Sequence, residues 1–471
     1  MEVLQRTANR GSISTGYDID NSVKLERDNA EGFNFTNSGA GNRKTWTISY
    51  WFKRTELGGG YDIIAGANTG LEIGFDPNNR FQVYDGGYLF VTNRVFRDTS
   101  AFYHIVVQLD TTQSTASNRI KLYVNGVEET SLATDSPPSQ NADLKWNNTG
   151  LIFYVGYYPS TNYYSNGYLA DVYSIDGQVV APTEFGEFDE DTGIWKPIKY
   201  TGSYGTNGFK LEFKDSSALN TDTSGSSKSI SLNNVTAADQ AIDTPTNNFC
   251  TMNHNARTNG NIRTQEGGTY VTTDGGSGWC SMLGSMAVGA GKWYWEALYY
   301  NNSDADDVHI GVAPTNDRFV PHNQTGYYLG NVETGGSMGW DLDGGANYNQ
   351  NGSWGNPSRG DKLMVALDMD NYKLYYGING TWGNSANPAN GTGSVTSLSS
   401  YWMSGITGAL DFVMPGVSVY QGNYMKGFNF GGYCAWTIAS AATDANGYGT
   451  FEYAPPSGFY ALCTKNLAQY G

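Results

Sequence analysis

From Ser22 onward, large apolar residues recur in short runs rather than in helical stripes. Val23-Lys24-Leu25, residues 45–52 (TWTISYWF) and residues 103–109 (YHIVVQL) are rich in β-branched and aromatic side chains, which suit the pleated, half-buried surface of a strand. Gly58-Gly59-Gly60, Asp76-Pro77-Asn78-Asn79 and Asp85-Gly86-Gly87 separate such runs as turns. Residues 121–124 (KLYV) followed by Asn125-Gly126 predict a tight hairpin, because both central residues of a type I′ turn need positive φ. Strand-like runs resume at residues 293–298 (WYWEAL), 308–312 (VHIGV), 363–367 (LMVAL) and 373–376 (KLYY). No segment carries an amphipathic helix of three turns, and no fixed-period repeat points to a solenoid or propeller. The pattern predicts an all-β chain of two consecutive antiparallel, jelly-roll-like β-sandwich domains.

The polar residues 1–16 show no alternation and are expected to form an arm that becomes ordered on a partner. Residues 214–243 string small polar side chains together with few large apolar ones, the composition of a linker or exposed loop. The expected division is therefore an arm at 1–16, one sandwich at 17–238 and a second at 239–471. A length of 471 residues is sufficient for two full cores. The 60 glycines supply turns, and the 34 tyrosines and 12 tryptophans supply large rings to cores and surfaces.

A formal net charge of −17 argues against nucleic acid as a partner, because phosphate-backbone binding needs clustered Lys and Arg. The N-terminal residues lack the apolar core of a secretory signal and no run reaches the length of a membrane span. The expectation is a soluble chain made in the cytosol, with no membrane partner. Cys250, Cys280, Cys434 and Cys463 match no zinc spacing and are read as structural thiols, with a disulfide between two of them left open.

Three ordered motifs in the first half, residues 45–51, residues 103–124 and residues 167–172 (GYLADV), resemble the laminin G-like and concanavalin A-like group. The second half resembles SPRY domains at residues 291–296 (GKWYWE), Ile310-Gly311-Val312, Gly360-Asp361, Asn379-Gly380, residues 414–417 (MPGV) and residues 428–431 (FNFG). Both families are recognition scaffolds, so the resemblance implies binding rather than catalysis. The combination, with the connector at residues 243–249 and the ending at residues 458–467, resembles virion proteins of marine tailed bacteriophages. That resemblance implies a tail-fibre-like or otherwise surface-displayed protein, located in the virion and assembled in the host bacterial cytoplasm.

Candidate chemistry narrows the reading further. Residues 187–191 (EFDED) could offer Glu187, Asp189 and Asp191 on one face of a strand, as a retaining glycosidase needs two close carboxyls. Their order departs from the Glu-Asp-Glu pattern of laminarinase-like enzymes, and a solvated acidic loop is the better account. No catalytic residue is therefore assigned, and the expectation is a non-enzyme. Asp304, Asp306 and Asp307 form an acidic loop that could contribute oxygens to calcium. No other cofactor is implied. His104, His254, His309 and His322 are too scattered for a zinc or general-base set.

The stretch at residues 156–168 (GYYPSTNYYSNGY) and the stretch at residues 340–354 carry aromatic rings with amide neighbours. Rigid, partly wet aromatic faces suit sugar rings or a protein partner. Tyr157, Tyr158, Tyr163, Tyr164, Trp340, Tyr348 and Trp354 are the candidate ligand-binding residues. The leading expectation is a host-attachment protein that binds a surface glycan or receptor. Its arm would hold other virion proteins, and by fibre analogy it would form a homo-oligomer such as a trimer. The alternative is a head-decoration or tail-assembly protein with structural protein contacts alone.

Overall fold

The computed structural model describes residues 16–58, 60–159, 163–258, 261–273, 279–299, 308–314, 338–341, 347–348, 357–394, 412–420 and 427–471. The arm predicted at 1–16 lies outside the described residues except for Gly16. The chain is nearly all β and forms two compact units, which divide between Asn247 and Asn248 rather than at 238/239.

In the N-terminal unit two antiparallel sheets enclose one core. The first runs in the order β10 (Val127–Glu128), β9 (Ile120–Val124), β8 (Tyr103–Asp110), β3 (Thr45–Arg54), β15 (Gly167–Asp176), β1 (Ser22–Leu25) and β20 (Gln240–Ala241), with β18 (Phe209–Leu211) also paired to β15. The second runs β11 (Leu132–Asp135), β7 (Tyr88–Val95), β6 (Arg80–Asp85), β5 (Leu71–Phe75), β4 (Asp62–Ala67), β12 (Ile152–Val155), β2 (Gly32–Thr36) and β19 (Ser231–Asn233). Two small hairpins, β13 (Tyr157–Tyr158) with β14 (Tyr163–Tyr164) and β16 (Gly186–Phe188) with β17 (Trp195–Pro197), lie outside these sheets. Strand periodicity of two sends Leu71, Ile73, Phe75, Phe81, Val83, Phe153 and Val155 into the core with Trp46 and Trp146. The expected hairpin at Asn125-Gly126 joins β9 to β10, and both residues have positive φ.

Residues 214–243 are not a linker. Ser231–Asn233 pairs with β2 and Gln240–Ala241 pairs with β1, so the returning chain closes both sheets. Leu219, Ile230 and Val235 are too sparse to show a period, yet each reaches the core. The polar residues are consumed in turns: Asp222 alone accepts from the backbone amides of Lys210, Ser224 and Lys228. Two buried cations hold the end of the segment, since Lys53 meets Asp243 at 2.8 Å and Lys24 meets Asp239 at 2.9 Å.

In the C-terminal unit one sheet runs β21 (Met252–Arg257), β24 (Trp279–Gly284), β32 (Val413–Tyr420), β26 (Val308–Pro314), β27 (Met338–Asp341) and β28 (Asn347–Tyr348). The other runs β31 (Thr381–Trp382), β30 (Lys373–Ile378), β29 (Lys362–Asp368), β25 (Lys292–Leu298) and β33 (Phe428–Asn429), with β34 (Tyr460–Ala461) parallel to β25. A hairpin of β22 (Ile262–Gln265) and β23 (Tyr270–Thr273) and a short terminal helix, Thr464–Tyr470, complete it. Trp293 and Trp295 alternate into the core with Val365, Leu367 and Tyr376. On the opposite face, Glu296 is buried and accepts from Tyr294 Oη, Asn429 Nδ2 and the amides of Glu452 and Tyr453. The carboxylate thereby fastens the late segment to the second sheet. Among the described residues no helix is long and apolar enough to cross a membrane.

Two outcomes follow from this packing. An N-terminal fragment ending at Asn247 should unfold cooperatively, whereas one ending at Phe213 should not, because it removes the strands that close both sheets and takes Asp243 from the buried Lys53 at about 3–5 kcal/mol, while Lys24 keeps Glu31 and loses only Asp239. Equal urea midpoints for the two fragments would refute the closing role. Trp293→Ala should destabilise its unit by roughly 3–5 kcal/mol, since the ring has no exposed surface, and a loss below about 1 kcal/mol in denaturant titration would place the ring elsewhere.

Candidate functional site

The outer face of the second sheet of the N-terminal unit carries the candidate site. Register sets one row of outward positions across five strands: Asn34 pairs with Tyr154, Tyr154 with Gly66, Gly66 with Glu72 and Glu72 with Tyr84. Tyr84 in turn pairs with Tyr88 across the turn at Asp85-Gly86-Gly87. After Val155 the chain leaves the sheet at Gly156, whose φ of +83° is open to glycine at little cost. The next residues fold back as the β13–β14 hairpin over the same face. Glycines make the bed for it, since any side chain at Gly32 would collide with the Tyr157 ring and a Cβ at Gly66 would lie 3.2 Å from Tyr158.

Tyr157 and Tyr158, at 3% and 4% exposure, anchor the hairpin rather than present it. Tyr157 Oη accepts from Asn34 Nδ2 at 3.2 Å, and Tyr158 Oη accepts from the Gly70 amide at 3.0 Å. Tyr154 packs edge-on against both rings. Tyr163 and Tyr164 are half-buried: Tyr163 stacks on Tyr61 with centroids 4.2 Å apart, and Tyr164 stacks on Tyr157 at 5.6 Å and 5°. Tyr88, whose phenol neighbours that of Tyr61, is 46% exposed and packs edge-on against Tyr84. Burial moves the Tyr61, Tyr154 and Tyr157 phenols upward, so the rings stay neutral hydrogen-bonding groups. Glu72 lies among them, its carboxyl also raised by burial.

The structure thus brings four of the candidate residues together and adds Tyr61, Tyr84, Tyr88, Tyr154 and Glu72 to them. Tyr84 and Tyr88 flank a turn, a signal that could have joined them, whereas Tyr61 reaches the group only through the hairpin. Trp340 and Tyr348 fall on β27 and β28, where Trp340 opposes Asn347 and Tyr348 opposes Gly339. Trp354, Asp304, Asp306 and Asp307 lie outside the described residues. Among the described residues no three His, Cys, Asp or Glu side chains come together in a metal-holding group.

The acidic stretch is occupied otherwise. Lys196 bridges Glu187 and Asp189 at 3.3 and 3.2 Å, and Asp189 Oδ1 accepts from the Asp191 and Thr192 amides and the Thr192 hydroxyl. Hydrogen bonds from Thr192 and Lys196 hold Asp189 below the usual carboxylate range, which is the wrong direction for a general acid. His104 sits between Ser49 and Trp195, each 2.9 Å away. Trp195 Nε1 can only donate, so Nδ1 accepts and the proton resides on Nε2, which donates to Ser49. That tautomer cannot take a proton from the serine. The four cysteines are free thiols.

Residues 27–179 match the family described as the concanavalin A-like lectin/glucanases superfamily, through a laminin G-like profile. The N-terminal unit therefore contains a laminin G-like, concanavalin A-like domain, and the tyrosine face lies inside the matched residues. No curated protein matches the chain. Similar solved structures include the SPRY domain of human HERC1, at 16% identity over 38% of this chain and 94% of that one, with a TM-score of 0.27. A candidate carbohydrate binding protein from Bacteroides ovatus aligns at 11% identity over 46% of this chain and 60% of that one, with a TM-score of 0.34. The SAP-like pentraxin of Limulus polyphemus aligns at 11% over 41% and 96%, with a TM-score of 0.28.

Burial lowers His104 to about 3 from an ordinary 6.5. Between those values the unfolded chain binds the proton and the folded chain does not, so stability rises with pH across this window and is lost on acidification. The loss attributable to His104 should be on the order of 4 kcal/mol. Urea titrations from pH 7 to 3 should show a flatter dependence for His104→Gln than for the unaltered chain, and identical slopes would mean that His104 is not held neutral.

Proposed function

We propose that the chain is a non-catalytic recognition protein that binds a carbohydrate on its tyrosine face. One observation carries this reading: stacked, half-exposed Tyr61, Tyr163 and Tyr164, with Tyr88 beside them, lie on an outer sheet face inside the residues that match a lectin and glucanase superfamily. Neutral phenols offer both a flat apolar surface to a sugar ring and hydroxyls to its edge. Rings held by stacking and by a buried hairpin lose little rotamer freedom on binding.

The setting we propose is a tail-fibre-like or surface-displayed protein of a bacteriophage virion, attached to the particle through residues 1–16 and oligomeric there. Its support is the resemblance at residues 243–249 and 458–467. The tyrosine face would then meet a polysaccharide or receptor glycan of the host surface.

The purified full chain should adsorb to host-derived polysaccharide without shortening it. Tyr61→Ala and Tyr163→Ala should weaken adsorption about tenfold or more, while the melting temperature stays within a few degrees because neither ring is in the core. Unchanged adsorption by both folded variants would move the contact to another surface. No adsorption by the intact protein, with normal incorporation into particles, would favour a structural decoration role.

A further inference from the structure

Lys24, Glu31 and Asp239 converge from three segments of the N-terminal unit into a space closed to water, with side chains 1%, 3% and 7% exposed. Lys24 points away from the core because its neighbours Val23 and Leu25 point into it. Its Nζ is 2.9 Å from Asp239 Oδ1 and 3.0 Å from both Glu31 oxygens. Asp239 presents its other oxygen, Oδ2, to two donors of Thr236, the backbone amide at 2.7 Å and the hydroxyl at 3.0 Å. Glu31 is itself fixed by the Glu26 amide at 2.8 Å and Asn29 Nδ2 at 3.0 Å. A nitrogen bonded to two carboxyls, one of which receives the Thr236 capping-box donors on its other oxygen, has the parts of an acyl-transfer arrangement as well as those of an ion pair.

We propose that Lys24 and Asp239 join in an intramolecular amide bond, Nζ to Cγ, with Glu31 as the proton carrier. Two carboxylates against one ammonium leave a net negative charge in a dry site, so one carboxyl holds a proton. Burial, against the pull of Lys24, raises Glu31 to about 7, so it is the carboxyl that can take up and give back a proton near neutral pH. The ammonium passes a proton to Asp239 Oδ1, leaving a neutral amine beside a neutral acid, a pair that low polarity favours over the ions. Nζ then attacks Cγ and charge develops on Oδ2, where the Thr236 amide and hydroxyl already point. As the Cγ–Oδ1 bond breaks, Glu31 gives its proton to Oδ1, which leaves as water, and recovers one from the nitrogen. The sum is ammonium plus carboxylate to amide plus water, and no oxidant or co-reactant is needed. Fixed proximity supplies the advantage that a free amine and acid lack. The bond would tie the first strand to the segment that closes both sheets.

Peptide mapping of the full-length chain tests this directly. The expected result is an intact mass one water below that of the Lys24→Arg variant after correction for the substitution, and a branched peptide joining Lys24 to Asp239 in tandem mass spectra. Glu31→Gln, folded by circular dichroism, should show the linear peptides. Linear peptides containing free Lys24 in the folded, unaltered chain overturn the proposal whatever the variants do. A branch at Lys53 and Asp243, the neighbouring buried pair, overturns the assignment to this site, and cross-linking of Glu31→Gln at the unaltered extent overturns the role of Glu31.

Discussion

A carboxylate with no exposed surface, Asp62, is the constraint around which the N-terminal unit is arranged. A lone buried charge costs several kcal/mol, so cations must reach it. Arg54 does so from β3 of the other sheet, with Nη2 at 2.6 Å and Nε at 3.0 Å, and Arg27 does so from the first loop at 2.7 Å. Each guanidinium then spends its remaining donors on groups distant in the sequence. Arg54 binds the Phe96 carbonyl and Asn79 Oδ1. Arg27 binds the Tyr164 carbonyl, while its amide donates to Asn166 Oδ1, and Asn166 in turn donates to Glu56. One buried charge therefore fixes the first loop, the turn before β6 and the return of the tyrosine hairpin together. The planar, five-donor fork of arginine is what lets a single acid do this.

The same logic separates the scaffold from the surface offered to a ligand. Tyr157, Tyr158 and Tyr154 use their hydroxyls or ring faces inward and hold the hairpin to the sheet. Tyr61, Tyr163 and Tyr88 stand above them with part of each ring in solvent. A rigid base under partly wet rings is the arrangement that keeps the entropic cost of binding low. In the C-terminal unit Glu296 plays the part that Asp62 plays in the first: it is a buried acid whose donors come from its own strand, from Asn429 and from the Glu452-Tyr453 backbone. Both units thus rely on carboxylates inside their structures, and the chain's excess of acidic residues is not all surface charge.

Much of the strand content was legible, because alternation over residues 45–52, 103–109 and 293–298 is a local signal. The hairpin at Asn125-Gly126 was legible for the same reason, since the two-residue turn carries its own conformational requirement. Residues 214–243 were not. Their apolar positions are isolated, their strands are three residues or fewer, and their partners lie about 200 residues away, so composition suggested a linker where the fold has a closing segment. Among the tyrosines, the sequence marked the hairpin but could not separate the buried pair, Tyr157 and Tyr158, from the half-exposed pair, Tyr163 and Tyr164, because burial depends on the glycines at 32 and 66 in other strands.

The sequence by itself determined the class of the structure, the placement of many strands and turns, and the two families it resembles, because these rest on periods of two and on turn chemistry within a few residues. Tertiary structure alone decided which tyrosines face solvent, that Tyr61 joins them, and which acids are paired inside. It also decided that Lys24, Glu31 and Asp239 meet. Those outcomes depend on strand register and on contacts between residues far apart in the chain, and neither leaves a local trace in the order of amino acids.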